Sequence, residues 1–550
     1  AVNASIGGIV YKAVPLQVRM DAFIVKNKAE LEHFRDYVNT GNTFYYKPSD
    51  STYYNQNATG LIEVPACGKD AKFRQSADIS LGNETWTPIG TTGAKFQGTY
   101  DGVHFTISDF SLENQQYSAL FGFAENATLK NIVLQNVNAN TSNSYLASLC
   151  ASLYTSSVDS VEVKNSSIKT DSSYVGGVVA YMNKSTLNHI LVSDVTIENT
   201  GNVSYVGGVV GYIRGTSIRN SRVRNSTITA EQVAYVGGIV GYVTQEGVGA
   251  TLTGLYVDTT YVTGRLYTGG IVGQNGYNYG STCSYSHVRG GSVIGKSTYV
   301  GGIAGHASGF HTIGCSNSAA VRGVDQVGGI CGCKDYLSLS YCTNTGEVTG
   351  RNYVGGIIGN VTEHTSAANA LEYSSNSGTV TGDSIVGGIL GYAHRVGVAS
   401  AKQCVNLGDV NGRTKVGGIV GESQGTFYGN ANAGRVRGTT YVGGVVGYQS
   451  QYPGYTARYA HDNYTTGQVS GEDYVGNVAG HADGGTIKNN YYDKQVSPDY
   501  PGEGTVNADV TTDDGAVGKL TRELTTGSAS DISTDWSSYF TCSSGLYPRP

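Results

Sequence analysis

Tyr174–Ala180 reads YVGGVVA, and 31 residues on Tyr205–Gly211 reads YVGGVVG. The heptad returns at Tyr235–Gly241, Tyr267–Gly273, Tyr299–Gly305, Gln326–Gly332, Tyr353–Gly359, Ile385–Gly391, Lys415–Gly421, Tyr441–Gly447 and Tyr474–Gly480. Two degenerate copies, Tyr117–Phe123 and Tyr145–Ala151, come first and bring the count to about 13, at intervals of 26–33 residues. A fixed period of this length marks a repeat architecture. Between heptads, stretches such as Leu129–Val137 (LKNIVLQNV) and Ile218–Ile228 (IRNSRVRNSTI) alternate apolar and polar residues. Alternation at period two means half-buried strands. A unit of two or three short strands cannot bury its apolar side alone, so it must stack on its neighbours. The expected fold is all-β: a parallel β-solenoid of about 13 turns, about 60 Å long at ~4.8 Å per turn.

Stacking in register turns equivalent residues into ladders. Asn317, Asn344, Asn376, Asn406 and Asn432 share one position, and an asparagine ladder bonds its amides along the rod. Cys315, Cys342, Ser374 and Cys404 share the position two residues earlier. Tyrosine precedes the Val position in ten of the units, and Tyr174, Tyr205, Tyr235, Tyr267 and Tyr299 are the candidate surface ladder. The glycine pair fits tight corners and close backbone approach.

The repeat is lost at both ends. Residues 1–85 read as an N-terminal cap, with a helix over Ala29–Val38 that places Leu31, Phe34 and Val38 on one face and takes Asn27 as N-cap. Such a cap hides the open strand edge of the first turn. Residues 86–489 are the solenoid, entered through Thr85–Ser108 with Asp101-Gly102 as a hairpin turn. Residues 490–550 form an irregular closing segment in which Pro498–Gly515 reads as loop.

Charged residues are 14% and the net charge is −6, so no basic stripe offers itself to nucleic acid. No apolar run approaches the ~18 residues that span a membrane. The chain opens without a signal peptide and reads as a mature or excised fragment.

Catalytic patterns match only by letter. Gly290–Ser297 (GGSVIGKS) fits a P-loop, but a heptad strand follows where a helix should receive phosphate. Gly421–Gly425 (GESQG) fits a nucleophile elbow but closes a heptad. Asp325, Glu422 and Asp473 lie a turn or more apart, which separates the carboxylates a glycan-cleaving site needs together. His306 and His481 share a repeat position far apart along the rod and read as structural. Asp509, Asp513 and Asp514 match no calcium loop.

The cysteines leave alternatives. Cys331 and Cys333, with Cys315 and Cys342, read as buried thiols, as a Cys315–Cys342 disulfide between adjacent turns, or as a thiolate metal site. The tyrosine run reads either as rings that shield the corner or as a surface for sugar rings. Sequons begin at Asn3, Asn57, Asn83, Asn126, Asn140, Asn165, Asn183, Asn202, Asn225, Asn360 and Asn463, and would carry glycans in a host with that pathway.

The heptads, the segment Trp86–Ser108, and the closing elements Asn490–Val496 (NYYDKQV), Lys519–Leu520 and Gly545–Pro548 (GLYP) resemble GLUG-motif proteins of bacterial surfaces. That family includes large adhesins and the non-catalytic N-terminal region of IgA-specific metallopeptidases. The resemblance covers most of the chain and implies a segment of a longer surface protein. No HExxH motif is present, so it implies no peptidase activity here.

The sequence thus predicts a non-enzymatic extracellular or cell-surface rod, acting as spacer, adhesin or filament subunit, with no cofactor. A carbohydrate-binding module on the tyrosine edge is the alternative, and a glycan-cleaving enzyme comes third. Expected partners are copies of itself, pairing through Ala1–Val25, and glycans or host-surface proteins; nucleic acid is excluded.

Overall fold

The computed structural model describes residues 4–6, 9–11, 22–40, 44–47, 52–54, 60, 62–64 and 71–550, apart from 114, 143, 203, 245–248, 277–279, 337, 363–370, 395–399, 451–458, 507–509, 512–514 and 534. Cys67, Asn3, Asn57, Asp509, Asp513, Asp514 and most of the Ala1–Val25 segment lie outside the described residues.

The chain winds as a parallel β-solenoid of about 14 turns. The start of each heptad adds one strand to a sheet of 13, from Tyr117–Ser118 to Asp473–Gly476. Its end adds one to a sheet of 14, from Phe121–Glu125 to Glu503–Val506. The alternating segments between heptads build a third sheet of 39 short strands. The register is the one the repeats predict: Tyr174 pairs with Tyr205 and Val175 with Val206. Val327 likewise pairs with Val354, and Gly328 with Gly355.

The glycines are there for space. Gly176 has no left-handed φ, yet a Cβ on it would lie 1.9 Å from the Val179 carbonyl oxygen. A Cβ on Gly329 would lie 2.1 Å from Gly356 O and 2.4 Å from the Asn344 amide carbon. The heptad bends so tightly against its own turn and the next that no side chain fits. Left-handed corners fall at Asn131, Ser160, His189 and Asn220 in successive turns, with φ between 48° and 56°, and from Tyr299 onward also at the first residue of each heptad, with φ between 55° and 64°.

The asparagine ladder is present and fully buried. Asn317 Nδ2 donates to Asn344 Oδ1 at 2.9 Å, Asn344 to Asn376 at 2.8 Å, Asn376 to Asn406 at 2.9 Å and Asn406 to Asn432 at 2.8 Å. Asn432 then ends the run on Thr465 Oγ1 at 3.1 Å. From Val293 onward the apolar interior divides in two. One cluster holds the valines before the glycine pairs, such as Val300 and Val327; the other holds Ile303, Ile330 and their equivalents after them. The ladder runs along this division, packed on the second glycine of each pair.

The helix spans Lys28–Thr40, and Asn27 caps it by accepting from Glu30 N at 3.0 Å. Phe34 enters a cluster with Phe73 (ring centroids 4.1 Å apart), Phe96, Tyr100 and Phe121, which plugs the first turn. Asn39 fastens the helix to that turn, donating to Pro88 O at 2.9 Å and accepting from Gly90 N at 2.7 Å.

The ends differ from expectation in three respects. Parallel pairing already begins inside the stretch expected to be cap: Phe23–Val25 pairs with Lys72–Gln75, and Ile79–Thr85 with Thr106–Leu112. Asp101-Gly102 is no hairpin, because Thr99–Asp101 and Thr106–Leu112 both pair in parallel with Thr128–Thr141 of the next turn. The parallel stack also runs past residue 489. Asn490–Asp493 pairs with Tyr464–Thr465, and Glu503–Val506, inside the expected loop, pairs with Ala479–Ala482. In each case an open strand edge on the preceding turn captures whatever chain follows, repetitive or not. The last residues fold back on the flank of the rod, where Trp536, fully buried, packs with Leu524, Ile532, Phe540, Tyr464 and Tyr491. No helix among the described residues is long and apolar enough to cross a membrane.

Candidate functional site

Two columns of aromatic rings run side by side along the heptad sheets. The first stacks Tyr117, Tyr145, Tyr174, Tyr205, Tyr235, Tyr267 and Tyr299, with successive centroids 4.6–5.3 Å apart. The second stacks Tyr181 on Tyr212 and Tyr212 on Tyr242, both at 5.3 Å. Edges of one column meet faces of the other, as between Tyr174 and Tyr181 (5.9 Å, 82°) and Tyr205 and Tyr212 (5.0 Å, 77°). This interlock favours the ring quadrupoles. Burial, reinforced by neighbouring phenols, pushes Tyr145, Tyr205 and Tyr242 up to about 12.

The arrangement bears on sugar binding. A pyranose stacks on the face of a ring, and the ladder rings between the ends have their faces covered by the turns above and below. They offer edges and hydroxyls only. The second column was not foreseen from the sequence. Its residues follow the glycine pair, and the spacing from one ladder to the other shows only once the heptad bends between two sheets.

Beyond Tyr242 the second column changes chemistry. Tyr242 is followed in register by Gln274, His306, Cys333 and Asn360. His306 Nε2 bonds Asp335 Oδ2 at 2.7 Å, and its Nδ1 meets Gln274 Nε2 at 3.0 Å. Cys333 Sγ lies 3.7 Å from Asp335 Oδ1, which also accepts from Thr362. The ligand atoms of His306, Cys333 and Asp335 all lie within 4.8 Å of one another, and all three residues are buried. Burial alone would raise the Asp335 carboxyl, but hydrogen bonds from His306 and Thr362 hold it below the usual range. Burial, then the charge of Asp335, pushes the Cys333 thiol well up. Lys334, between them in sequence, turns inward, is fully buried and donates to Phe310 O; burial pushes it down to about 8. His306 thus ties three turns together.

The cluster lacks the geometry of thiol catalysis. The Cys333 thiol contacts a carboxylate, the imidazole nitrogens face Asp335 and Gln274, and a raised thiol is the opposite of an activated nucleophile. The other letter-matches fail as well. Gly290 and Gly291 sit inside the strand His287–Gly295. Ser423 is fully buried and bonds Gly425 on its own strand end. Glu422 pairs with Lys415 at 2.8 Å and Asp325 with Arg351 at 3.1 Å, so these carboxylates do not converge.

Cys315 and Cys342 are free thiols, not a disulfide. They are register neighbours, but each thiol is satisfied by a carbonyl: Cys315 by Cys283 O at 3.5 Å, Cys342 by Ser340 O at 3.3 Å. Cys283 Sγ, at 4.0 Å, is a further neighbour of the Cys315 sulfur. Farther along, the column of Cys315, Cys342, Ser374 and Cys404 becomes a second asparagine ladder. Asn430 donates to Asn463 and Asn463 to Asn490, each at 2.9 Å. Asn463, a sequon residue, is thereby fully buried and closed to glycosylation. Asn83, Asn126, Asn140, Asn165, Asn202 and Asn225 are exposed, and Asn183 and Asn360 half-buried. Asn83, Asn126, Asn165 and Asn225 have φ of 49–59°, so the left-handed corner accounts for asparagine there without any glycan.

A hollow of about 400 Å³ opens where the C-terminal segment meets the rod, lined by Tyr459, His461, Asp462, Lys488, Asp535 and Tyr539. His461 stacks on Tyr428 at 4.8 Å, and Tyr459 is 42% exposed.

No family model matches the chain, and no curated protein matches it. Among solved structures it is similar to a candidate immunoglobulin A1 protease from Bacteroides ovatus. The identity is 16% over 69% of this chain and 77% of that one, with a TM-score of 0.26. A likeness at that TM-score carries no argument about function.

Proposed function

We propose that this chain is a rigid, non-enzymatic rod of a cell surface or extracellular matrix, acting as spacer or adhesive element and akin to the GLUG-motif surface proteins. The observation that supports the reading is the unbroken parallel register from Tyr117 to Gly476, with its buried amides engaged along the axis. Such a stack resists bending. The N-terminal plug blocks direct strand addition at that end, so self-association into filaments would use the C-terminal edge at Glu503–Val506 or the flanks.

Glycan binding is the second reading. The hollow at Tyr459 and His461 favours it over the tyrosine ladder, because it combines exposed ring surface with the carboxylates of Asp462 and Asp535. One experiment addresses both. Negative-stain microscopy of the purified chain, with product assays on polysaccharide and protein panels, should show straight rods about 70 Å long and no turnover. Released reducing sugar or peptides would refute the non-enzymatic reading. On a glycan array, Tyr459→Ala should remove any binding that Tyr205→Ala leaves intact.

A further inference from the structure

The geometry points to a single zinc-class metal ion held by His306, Cys333 and Asp335, a site independent of the rod's surface role. Elsewhere the column carries tyrosine at Tyr181, Tyr212, Tyr242, Tyr392 and Tyr448, with Glu422 and His481 each a single ligand type flanked by Tyr448. In the turns of His306 and Cys333 it carries an imidazole and then a thiol, with Asp335 two residues farther on the same strand. Nitrogen, sulfur and carboxylate oxygen together suit a borderline-soft divalent ion, zinc before magnesium or calcium.

Distances agree. Ligands around tetrahedral zinc sit about 3.3–3.8 Å apart, given bonds of about 2.0–2.3 Å. Here Cys333 Sγ and Asp335 Oδ1 are 3.7 Å apart and the imidazole and carboxylate 2.7 Å. A shift of under about 1 Å on the imidazole side opens room for the ion. Outer-shell partners are at hand: Thr362 on Asp335 Oδ1, and Gln274 on His306 Nδ1 once its amide turns to present Oε1. Tyr267 and Tyr299 lie over His306, with centroids 5.8 and 5.4 Å away, and restrict water. A thiolate and a carboxylate neutralise a dication, and the ammonium of Lys334, which acts on both ligands, leaves one positive charge beside the site.

Binding proceeds with a defined proton balance. The Cys333 thiol releases its proton to solvent as the sulfur–metal bond forms. The imidazole proton moves from Nε2 to Nδ1, where Gln274, turned to present Oε1, accepts it. The ion then clamps the turns that carry Gln274, His306, Cys333 and Thr362.

The test uses the full chain, purified without chelators for zinc analysis and then stripped and titrated with Co²⁺. One zinc per chain is expected, and one equivalent of Co²⁺ should produce a thiolate-to-cobalt charge-transfer band. Cys333→Ser should abolish that band, and His306→Ala should weaken binding at least ~100-fold. Cys331→Ala should keep both, because the Cys331 thiol bonds Cys333 O within its own strand. Circular dichroism checks each variant for folding. Because the unaltered chain is measured first, the inference does not depend on any variant folding. No retained zinc and no cobalt band in the unaltered chain would overturn it, as would a band that survives in folded Cys333→Ser.

Discussion

Replacing Asn376 by alanine probes the buried ladder at its centre. The Asn376 amide donates to Gly378 O at 2.8 Å and to Asn406 Oδ1 at 2.9 Å, and it accepts from Asn344 Nδ2 at 2.8 Å. The residue is fully buried, so the alanine leaves three polar groups without this partner and away from bulk solvent. An unsatisfied buried group costs about 1–3 kcal/mol. A water molecule admitted to the space of the lost amide recovers part of this, which leaves an expected cost of about 3–5 kcal/mol. Ser375→Ala, one residue away on the outer side, should change stability by less than about 0.5 kcal/mol. Asn376→Asp should cost more than alanine at neutral pH, because a carboxylate faces Asn406 Oδ1 with no proton to donate. Acid should restore part of that loss by supplying one O–H. Repeat arrays can unfold in sections, so the readout is native-state hydrogen exchange together with urea melts. The Leu407 amide, which donates to Asn376 O at 2.7 Å, should lose protection first. A cost for Asn376→Ala below about 1 kcal/mol, with Leu407 still protected, would refute the view that the ladder holds the turns in register.

Two further outcomes follow from the surface. The phenols of Tyr145, Tyr205 and Tyr242 stand at about 12 in the folded chain, above the ordinary value of 10.0. Between those values the unfolded chain releases protons that the folded chain keeps, so stability is complete below pH 10 and falls as pH rises toward 12. Spectroscopic titration of tyrosinate should show a late-ionising class that disappears in urea; a single transition near 10 would exclude it. On expression through a glycosylating secretory route, peptide mapping should find sugar at the exposed Asn126, Asn165 and Asn225 and none at Asn463. Modified Asn463 would mean that the second asparagine ladder does not form.

The fold was legible because a solenoid repeats its instructions. The Val-Gly-Gly heptads, the interval of 26–33 residues and the shared position of Asn317 through Asn432 determine strands, register and ladder before any coordinates. In-register stacking converts equivalence in sequence into contact in space. The cap was legible for a different reason: Leu31, Phe34 and Val38 lie on one helical face behind a capping Asn27, which is local information.

Tertiary structure decided what depends on the path between equivalent positions. The second aromatic column and the Asn430–Asn463–Asn490 ladder stack identical residues, but only the path of the chain shows that the first column meets the second edge to face and that the second ladder is buried. The meeting of His306, Cys333 and Asp335 joins residues whose types change from turn to turn, and a pattern search sees no repeat in them. Sequence could not show that the ladder tyrosines cover one another's faces, or that thiols placed in register stay free and bond carbonyls. Those outcomes turn on side-chain direction over a few ångströms, which the winding of the chain sets and the spacing of letters does not.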